Sequence, residues 1–372
     1  MLLKYEQLLQ DQTALGELAT FVPNKKQPIY NWAYYKEGFS RDLVLKLIND
    51  FGLHHESMAL DPFCGVGTAL VGCREKGITS IGMDVMPFPL FASHVRTSDY
   101  DTKQLRVLSQ ELFREKFQKL RFDVPVLLRR AFSKYALEDI AFFMQDINRL
   151  EGEERNFFLL ALISASMKVS YAWKDGAVIK IRKTHKPPLR FMYKKIVQRM
   201  IKDLEKSRHD APCTVLQCDA RKMHLEDGLA DAIITSPPYL NNIDYTKIYE
   251  IENHFITGIY EKPALRSHIG LDAQINFLPE LLPPSAMAYF SDMNEVLKEM
   301  HRVLVQDGKA AIVVGNAYID GRIIDSDLIL AKLAEDSGFI VESIDVLNKR
   351  FALENRTEQK GILRESMIIM RK

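Results

Sequence analysis

Residues 58–84 carry the pattern that most restricts the fold of this chain: an apolar strand, a glycine turn, a helix and a second strand that ends in an acid. The stretch reads MALDPFCGVGTALVGCREKGITSIGMD, and Asp84 lies 17 residues after Gly67. Gly65 and Gly67 allow a tight turn and a close approach of the backbone to a ligand. This order predicts the first half of a nucleotide-binding α/β unit.

The rest of the chain alternates between strand and helix patterns, which predicts a mostly parallel, doubly wound α/β sheet. The predicted strands lie at 214–217, 232–234, 310–316, 339–346 and 366–370, and the predicted helices at 39–50, 289–305 and 323–337. Residues 96–209 contain few strand signals, so we expect a largely helical insertion in one connection of the sheet. The main domain then consists of residues 1–95 and 210–372.

The glycine turn indicates a ligand that has a ribose but no pyrophosphate. The third glycine of the dinucleotide fingerprint is absent, because Thr68, Ala69 and Leu70 follow Gly67, and the turn has no Lys-Ser/Thr of a phosphate loop. An acid at the position of Asp84 can accept hydrogen bonds from two ribose hydroxyls. A GxG pair alone is a weak signal, and a purely structural turn is the alternative.

Two consecutive prolines follow a later predicted strand, in the segment TSPPY at 235–239. Proline fixes φ and removes a backbone donor, so this turn is stiff and presents carbonyl groups and side chains rather than amide hydrogens. Ligands of doubly wound sheets bind beyond the carboxyl ends of the strands. We therefore expect the turn to form part of a binding site, although an isolated SPPY segment is usually only a proline-rich turn.

Together these motifs resemble those of the S-adenosylmethionine-dependent DNA amino-methyltransferases. The resemblance rests on DPFCGVGTALVGC with IGMDVMP behind it, on CDA at 218–220 and on TSPPY with the LNNIDYTKIYEIE that follows; upstream, PIY at 28–30 and YYKEGFS at 34–40 also match. The resemblance spans about 20–90 and 210–372. It implies a class I methyltransferase (Rossmann-like) fold with S-adenosyl-L-methionine as cofactor, to which 96–209 is an addition.

The resemblance also implies which residues bind the cofactor. In that family the glycine turn cradles the methionine part, the acid at Asp84 binds the ribose, and a polar residue at Asp219 lies near the adenine amino group. For Asp219 the alternative is a loop or helix cap. The implied cofactor-binding residues are Tyr30, Phe39, Ser40, Asp61, Phe63, Gly65, Gly67, Thr68, Asp84, Asp219 and Ser236.

The Ser-Pro-Pro-Tyr signature implies methyl transfer to the exocyclic amino group of a base. That nitrogen is a poor nucleophile, because its lone pair is delocalised into the ring, and it needs acceptors for its N–H bonds. The Ser236 hydroxyl and a proline carbonyl are expected to accept them, and Tyr239 is expected to stack on the base after it leaves the duplex. The nitrogen then attacks the methyl group directly, so catalysis is largely positioning. The implied catalytic residues are Ser236, Pro237, Pro238 and Tyr239.

Serine at the first position of the signature resembles the cytosine-N4 enzymes, whereas adenine-N6 enzymes more often have Asp or Asn there. We therefore expect a site-specific cytosine-N4 DNA methyltransferase, with a restriction endonuclease as a candidate partner. The alternatives are an adenine-N6 enzyme, an RNA base (cytidine-N4) methyltransferase, or a non-catalytic nucleic-acid-binding module with a vestigial cofactor pocket.

A strongly basic segment lies inside the insertion, although the formal net charge of the whole chain is only +1. Residues 168–208 contain 13 lysines and arginines against three acids, with aromatic residues interleaved. Such a face suits contact with nucleic-acid phosphates, with a solvated helix face as the alternative. The expected nucleic-acid-binding residues are Lys180, Arg182, Lys183, Lys186 and Arg190, together with Asp244 and Tyr245. The last two follow SPPY, where they either shape the target pocket or form a helix N-terminus.

Other features restrict the chemistry further. The four cysteines and nine histidines show no metal-ligand spacing, so neither a metal site nor a disulfide framework is expected. The N-terminus lacks a signal-peptide pattern and no long apolar run is present, which predicts a cytoplasmic protein without a membrane span. Pro212-Cys213 is similar to the nucleophile dipeptide of carbon-5 cytosine methyltransferases, but it precedes the Asp219 strand, which favours a buried or loop cysteine. Asn316 is either a pocket residue or part of a turn.

Overall fold

The computed structural model describes residues 2–36, 38–119, 124–175, 178–206, 211–240, 245–257, 282–354 and 358–372. The strands are β1 (Leu9–Asp11), β2 (Met58–Asp61), β3 (Thr79–Asp84), β4 (Ala172–Asp175), β5 (Val178–Ile181), β6 (Cys213–Gln217), β7 (Ala230–Thr235), β8 (Leu304–Gly315), β9 (Ala317–Ile319), β10 (Arg322–Ile324), β11 (Ile340–Glu354) and β12 (Glu358–Arg371). The predicted strands of the main sheet are thus present.

The α-helices are α1 (Leu3–Glu6), α2 (Arg41–Asp50), α3 (Thr68–Glu75), α4 (Pro87–Thr97), α5 (Thr102–Arg114), α6 (Val126–Ala131), α7 (Lys134–Ile147), α8 (Gly152–Val169), α9 (Leu189–Lys206), α10 (Tyr245–Ile248), α11 (Glu250–Phe255), α12 (Pro284–Val303) and α13 (Ser326–Asp336). Short 3-10 helices occupy Thr13–Ala19, Pro23–Lys26 and Tyr30–Trp32. Within the described ranges, none of the helices is both long and apolar enough to cross a membrane.

The central sheet has eight strands in the order β1-β11-β12-β8-β7-β2-β3-β6. The five strands β6, β3, β2, β7 and β8 run parallel, and β12 pairs antiparallel with both β8 and β11. The chain proceeds outward from β2 through β3 to β6 and then returns to β7 on the other side of β2. The expected doubly wound, Rossmann-like sheet of the class I methyltransferases is therefore confirmed, and its topological switch point lies between β2 and β7.

Helices cover both faces of this sheet because successive side chains of a strand point to opposite sides. On one face Leu60, Ile233 and Ile312 pack against α12 and α13. On the other face Ala59 and Ile234, their neighbours along β2 and β7, pack against α2 and α3. The central residues of these strands are thus apolar on both faces, as a parallel sheet requires, and polar buried residues come only at their ends, Asp61 and Thr235.

The insertion between α4 and β6 consists mainly of helices α5 to α9, as expected, but it also contains an antiparallel ribbon of β4 and β5 that the sequence did not predict. Its apolar core is continuous with α4, with the N-terminal segment and with α10 and α11. The buried indole of Trp32 donates to the Asp203 carboxylate of α9 at 3.0 Å, and Ser164 of α8 donates to the Trp32 carbonyl. The insertion therefore packs as part of the same core as the segment that precedes β2.

One predicted helix boundary needs correction, one strand was not predicted, and the contacts of Asn316 bear on an alternative that the sequence left open. The helix predicted over 323–337 begins only at Ser326, because Arg322–Ile324 pairs with β9 as an antiparallel hairpin. The N-terminal segment contributes β1, which pairs parallel with β11. No sequence pattern predicted this strand. Asn316 belongs to a turn, since its side chain bonds Asp325 and the amide of Asp327.

We expect Asp203→Ala to destabilise the whole chain by about 1–3 kcal/mol, because it leaves the buried Trp32 N–H without its acceptor. Asp203→Asn keeps an oxygen acceptor in place and should cost less. Urea unfolding followed by circular dichroism measures both variants. Equal losses in the two would show that the Trp32 bond does not stabilise the junction between the insertion and the main domain.

Candidate active site

The switch point joins the two sequence motifs directly. Asp61 ends β2 and Thr235 ends β7, and the Thr235 Oγ1 donates to Asp61 Oδ1 at 2.6 Å in the buried interior. The same carboxyl oxygen accepts from the amide of Phe63 at 3.1 Å, at the start of the glycine turn. The beginning of the glycine turn and the beginning of the Ser-Pro-Pro-Tyr turn are therefore held at one edge of the sheet.

The glycine turn has a backbone that only glycine adopts easily. Gly65 and Gly67 have φ of 51° and 78°, in the left-handed region. A Cβ on Gly67 would also lie 2.4 Å from Ser93 Oγ of α4. Gly67 precedes the first residue of α3, Thr68, which is buried. The turn is therefore fixed both by its dihedral angles and by the helix packed behind it.

Asp84 ends β3 and closes the glycine turn from the side. Its two carboxyl oxygens accept from the amides of Gly65 at 3.0 Å and Met86 at 2.7 Å. Burial raises the pKa of Asp84 to about 6, although these two backbone bonds act in the opposite direction. Burial likewise raises the pKa of Asp61 to about 7, with a further contribution from the charge of Asp84. Two buried carboxyl groups thus lie where a positively charged or hydroxyl-bearing ligand would stabilise their ionised forms.

Arg96 of α4 supports the glycine turn from behind and was missed by the sequence analysis. Its buried guanidinium donates to the Val66 carbonyl inside the turn and to the Ile29 carbonyl at 3.2 Å. Ile29 has a φ of 65°, which is costly for a branched side chain. The segment 28–40 is therefore adjacent to the glycine turn, as the resemblance implies.

The side chains selected within that segment have other roles in the structure. Tyr30 is fully buried against Arg96 and against Gly72 of α3. Ser40 is fully buried as the N-cap of α2, and Phe39 packs in the core beside it. Burial and capping already occupy these three side chains, and their role in cofactor binding stays a prediction.

Tyr35 is the member of the segment that covers the glycine turn. A Cβ on Gly65 would lie 3.0 Å from the Tyr35 ring. That ring stacks on Tyr249, the residue before α11, at 5.3 Å between centroids, and Tyr249 stacks on Phe88 of α4 at 5.8 Å. The pair of adjacent tyrosines at 34 and 35 was the available signal, but no sequence pattern distinguishes the tyrosine that faces the turn.

Asp219 follows β6, where the adenine end of the ligand is expected. Its carboxylate pairs with Arg221 at 2.6 Å, and Arg221 also pairs with Asp292 of α12 at 3.0 Å. Burial alone would raise the pKa of Asp219, but the hydrogen bonds and charge of Arg221 outweigh it and lower that pKa. Asp219 is therefore ionised and held by Arg221 at neutral pH.

The Ser-Pro-Pro-Tyr turn leaves the buried strand β7 at the carboxyl edge of the sheet. Ser236, Pro238 and Tyr239 are half-buried, whereas Pro237 is buried. The Tyr239 hydroxyl donates to Glu365 of β12 at 2.9 Å, and its ring rests on Gly315, where a Cβ would lie 2.8 Å away. Burial, with the charge of Glu365, raises the pKa of Tyr239 well above its usual value, so the phenol stays neutral.

The expected nucleic-acid-binding residues fall into two groups. Lys180, Arg182 and Lys183 are exposed on and after β5, and Lys186 is partly exposed. Tyr245 begins α10 and packs half-buried against the insertion, while Asp244 lies outside the described residues.

Arg190, which was also expected to bind nucleic acid, has its guanidinium engaged within the insertion. It donates to the carbonyls of Phe113 and Glu115 at 2.9 and 3.0 Å. It also lies over the rings of Phe142 and Phe143. These contacts fix Arg190 as a link between α5, α7 and α9.

Cys213 lies at the amino end of β6, the opposite end of that strand from Asp219. Burial raises the pKa of its thiol, which disfavours a thiolate nucleophile. The preference for a packing cysteine is supported by this position. Over the ranges that the structure describes, no cluster of three or more His, Cys, Asp or Glu side chains is arranged to hold a metal ion.

No family model matches this chain. Type II methyltransferase M.BsoBI of Geobacillus stearothermophilus is 25% identical over 464 aligned residues, which cover 99% of this chain and 91% of that protein. Type II methyltransferase M.AvaI of Nostoc sp. is 26% identical and covers 92% of this chain and 86% of its own length. The chain is similar to type II methyltransferases.

A third relative, type II methyltransferase M.MjaII of Methanocaldococcus jannaschii, is 23% identical over 81% of this chain and 72% of its own. Among solved structures, a putative sarcosine dimethylglycine methyltransferase from Galdieria sulphuraria has 10% identity and a TM-score of 0.36 over 89% of this chain and 84% of that one. Because that superposition is loose, the fold assignment rests on the strand order of the sheet.

We expect Gly67→Ala to destabilise this methyltransferase-like chain more than Gly77→Ala. Both glycines have positive φ, of 78° and 70°, so both variants incur a backbone cost of about 1–2 kcal/mol. A Cβ at Gly67 would also clash with Ser93, whereas nothing lies within 4 Å of a Cβ at Gly77. Thermal unfolding of the two variants measures the difference. Equal melting temperatures would show that the packing of the turn against α4 is not tight.

We expect the free energy of unfolding of Asp61→Asn to increase relative to that of wild type as pH rises from 5 to 8. Because the pKa of Asp61 is raised to about 7 in the folded state, the native chain holds this proton longer than the unfolded chain does. Ionisation therefore removes stability between about pH 4 and pH 7, and asparagine avoids that loss. The shift of about three pKa units corresponds to about 4 kcal/mol, which sets the upper limit of the gain at pH 8.

Thermal unfolding across this pH range measures the gain for Asp61→Asn. Asp320→Asn, at an exposed position, serves as the control and should show no trend. A constant difference between wild type and Asp61→Asn would contradict the raised pKa.

Proposed function

We propose that this chain is a type II DNA methyltransferase that transfers the methyl group of S-adenosyl-L-methionine to the N4 amino group of cytosine. Methyl transfer is supported by the similarity to type II methyltransferases over nearly the whole chain. The observation that carries the proposal is the 2.6 Å bond between Asp61 and Thr235, because it brings the cofactor motif and the Ser-Pro-Pro-Tyr motif to one edge of the sheet.

The buried acids and the glycine turn fit S-adenosyl-L-methionine. Gly65 and Gly67 leave the turn without side chains, and Tyr35 covers it. Asp84 ends the neighbouring strand, where each of its oxygens has a lone pair left for a ribose hydroxyl. Asp61 and Asp84 have raised pKa values, and a ligand that carries a sulfonium and an ammonium group would favour their ionised forms.

We assign the cofactor-binding role to Asp61, Gly65, Gly67 and Asp84, with Phe63, Thr68 and Asp219 at its margins. When bound, the cofactor supplies an electrophilic methyl group on a positively charged sulfur. Asp219 is held by Arg221, so its free acceptor positions can meet an adenine amino group without movement of the main chain.

The Ser-Pro-Pro-Tyr turn is assigned to the target base. Ser236 offers a hydroxyl oxygen, and the Pro237 carbonyl a second acceptor, to the amino hydrogens of the base. Both acceptors withdraw the hydrogens from the ring plane and favour a tetrahedral nitrogen whose lone pair is available. Tyr239 offers the face of its ring for stacking, and its bond to Glu365 keeps that ring in one orientation.

Cytosine is proposed rather than adenine because a serine, not an aspartate or asparagine, begins the signature at Ser236. DNA is proposed rather than RNA because type II methyltransferases are the relatives to which this chain is similar. A restriction endonuclease of the same sequence specificity is the partner that this proposal implies.

Methylation of plasmid DNA with tritiated cofactor, followed by mass spectrometry of the nucleosides, tests the proposal. N4-methylcytosine in DNA is the expected product. N6-methyladenine would assign the adenine enzyme instead, and label in RNA alone would assign an RNA enzyme. Absence of cofactor binding by calorimetry would exclude an S-adenosylmethionine-dependent enzyme altogether.

We predict that Ser236→Ala lowers turnover on the order of 100-fold, the scale for removing one positioned polar group, while the affinity for the cofactor stays close to wild type. Tyr239→Ala should also lower turnover, whereas Tyr239→Phe keeps the stacking face and should retain most of it. Single-turnover methylation and cofactor calorimetry measure the two effects separately. Wild-type rates in Ser236→Ala and Tyr239→Ala would refute these assignments.

A further inference from the structure

The ribbon of β4 and β5 has two faces of different character, and neither belongs to the cofactor site. Its register pairs Trp173 with Lys180 and Lys174 with Ile179. Because side chains alternate across a strand, Lys174 and Ile179 share the inner face, and Trp173 and Lys180 share the outer face. Exposure agrees with this division, since the outer side chains are exposed and the inner ones half-buried.

The inner face is fixed to the helices that follow the Ser-Pro-Pro-Tyr turn. Lys174 Nζ lies 2.7 Å from the Glu252 carboxylate of α11, with both side chains largely buried. The same ammonium lies 3.2 Å from the centre of the Tyr249 ring. Tyr249 in turn stacks on Tyr35, which covers Gly65 of the glycine turn. The ribbon is thus fixed to α11 by Lys174 and linked to the glycine turn through Tyr249 and Tyr35.

The outer face carries groups that suit a nucleic acid. Trp173 is 45% exposed and Val178 is 51% exposed, so two apolar side chains of the ribbon are open to a partner on the outer face. Lys180 lies directly opposite Trp173, and the exposed Arg182 and Lys183 follow the end of β5. An exposed cation beside an exposed indole favours a partner that is both anionic and aromatic.

The pairing of Lys180 with Asp175 on the same ribbon does not oppose this. Both side chains of that ion pair are about half exposed, at 47% and 52%. Exposed pairs contribute little to stability, so Lys180 can exchange Asp175 for a phosphate at small cost.

We propose that the outer face of this ribbon contacts duplex DNA next to the target base, with Trp173 stacking on a base face that the flipped nucleotide leaves exposed. The inference rests on the proposed function of the neighbouring turn, because only a base that leaves the stack exposes such faces. A two-stranded ribbon fits the major groove, and the basic segment 168–208 supplies phosphate contacts on either side. Trp173 and Lys180 then hold the duplex while the Ser-Pro-Pro-Tyr turn holds the base.

The chain offers a direct optical test, because it has only two tryptophans. Trp32 is buried, with 1% of its side chain exposed, whereas Trp173 is accessible. Titration with linear plasmid DNA in the presence of the cofactor should quench the Trp173 fluorescence and protect it from iodide. Trp173→Phe should abolish the DNA-dependent change and retain most of the affinity, because phenylalanine still stacks.

Binding measurements with three variants complete the test. Trp173→Ala should raise the Kd for DNA about 5- to 150-fold, the range for loss of stacking on one base. Lys180→Ala should lower the slope of log K against log salt by about 1. The control is the double variant Ile340→Ala/Lys76→Ala, which removes an exposed apolar and an exposed basic side chain at the opposite, amino edge of the sheet. The control should bind DNA with the Kd of wild type. Calorimetry should show that all three variants bind the cofactor with the affinity of wild type.

Three outcomes would overturn the inference while leaving the methyltransferase proposal intact. One is a wild-type protein that binds and methylates DNA without any change in Trp173 fluorescence. Another is Trp173→Ala with wild-type affinity for DNA. Loss of affinity for poly(U) but not for duplex DNA in that variant would also overturn it, in favour of an RNA-binding ribbon. Failure of the wild type to methylate DNA at all would instead refute the proposed function.

Discussion

The adjacency of β2 and β7 at the switch point is the constraint on which the rest of the structure depends. In a doubly wound sheet these two strands are neighbours in space although 174 residues separate Asp61 from Thr235. Both strands run parallel and end at the same edge, so the turns that leave them meet there. The hydrogen bond between the two side chains closes this junction in a buried environment, where an unpaired hydroxyl or carboxyl group would be costly.

The same junction explains the electrostatics of the candidate site. A carboxyl group at the end of a buried strand loses hydration, and the pKa values of Asp61 and Asp84 rise for that reason. An amide in place of Asp61 would avoid the cost of its buried charge, whereas both oxygens of Asp84 accept from backbone amides. A ligand that supplies positive charge and hydroxyl groups would stabilise the ionised form of both acids.

The insertion contributes to the site through packing rather than through a separate core. Trp32 binds Asp203, and Lys174 reaches Glu252, so segments before β2, within the insertion and after β7 contact one another. The stack of Tyr35, Tyr249 and Phe88 crosses the same region. Movement of the ribbon would therefore shift side chains that contact the glycine turn and α11. Helix α11 begins shortly after the Ser-Pro-Pro-Tyr turn.

The sequence by itself determined the parallel sheet, the glycine turn with its closing acid and the largely helical insertion. These features depend on local periodicity and on the special backbone freedom of Gly65 and Gly67, which sequence reports directly. It did not determine that Tyr35 rather than Tyr30 covers the turn, that Arg96 supports it, that Arg190 is engaged inside the insertion, or that a ribbon interrupts the helices. Those outcomes were decided by tertiary structure, because the role of a side chain depends on which distant segments pack against it. The spacing of residues along the chain does not show which segments those are.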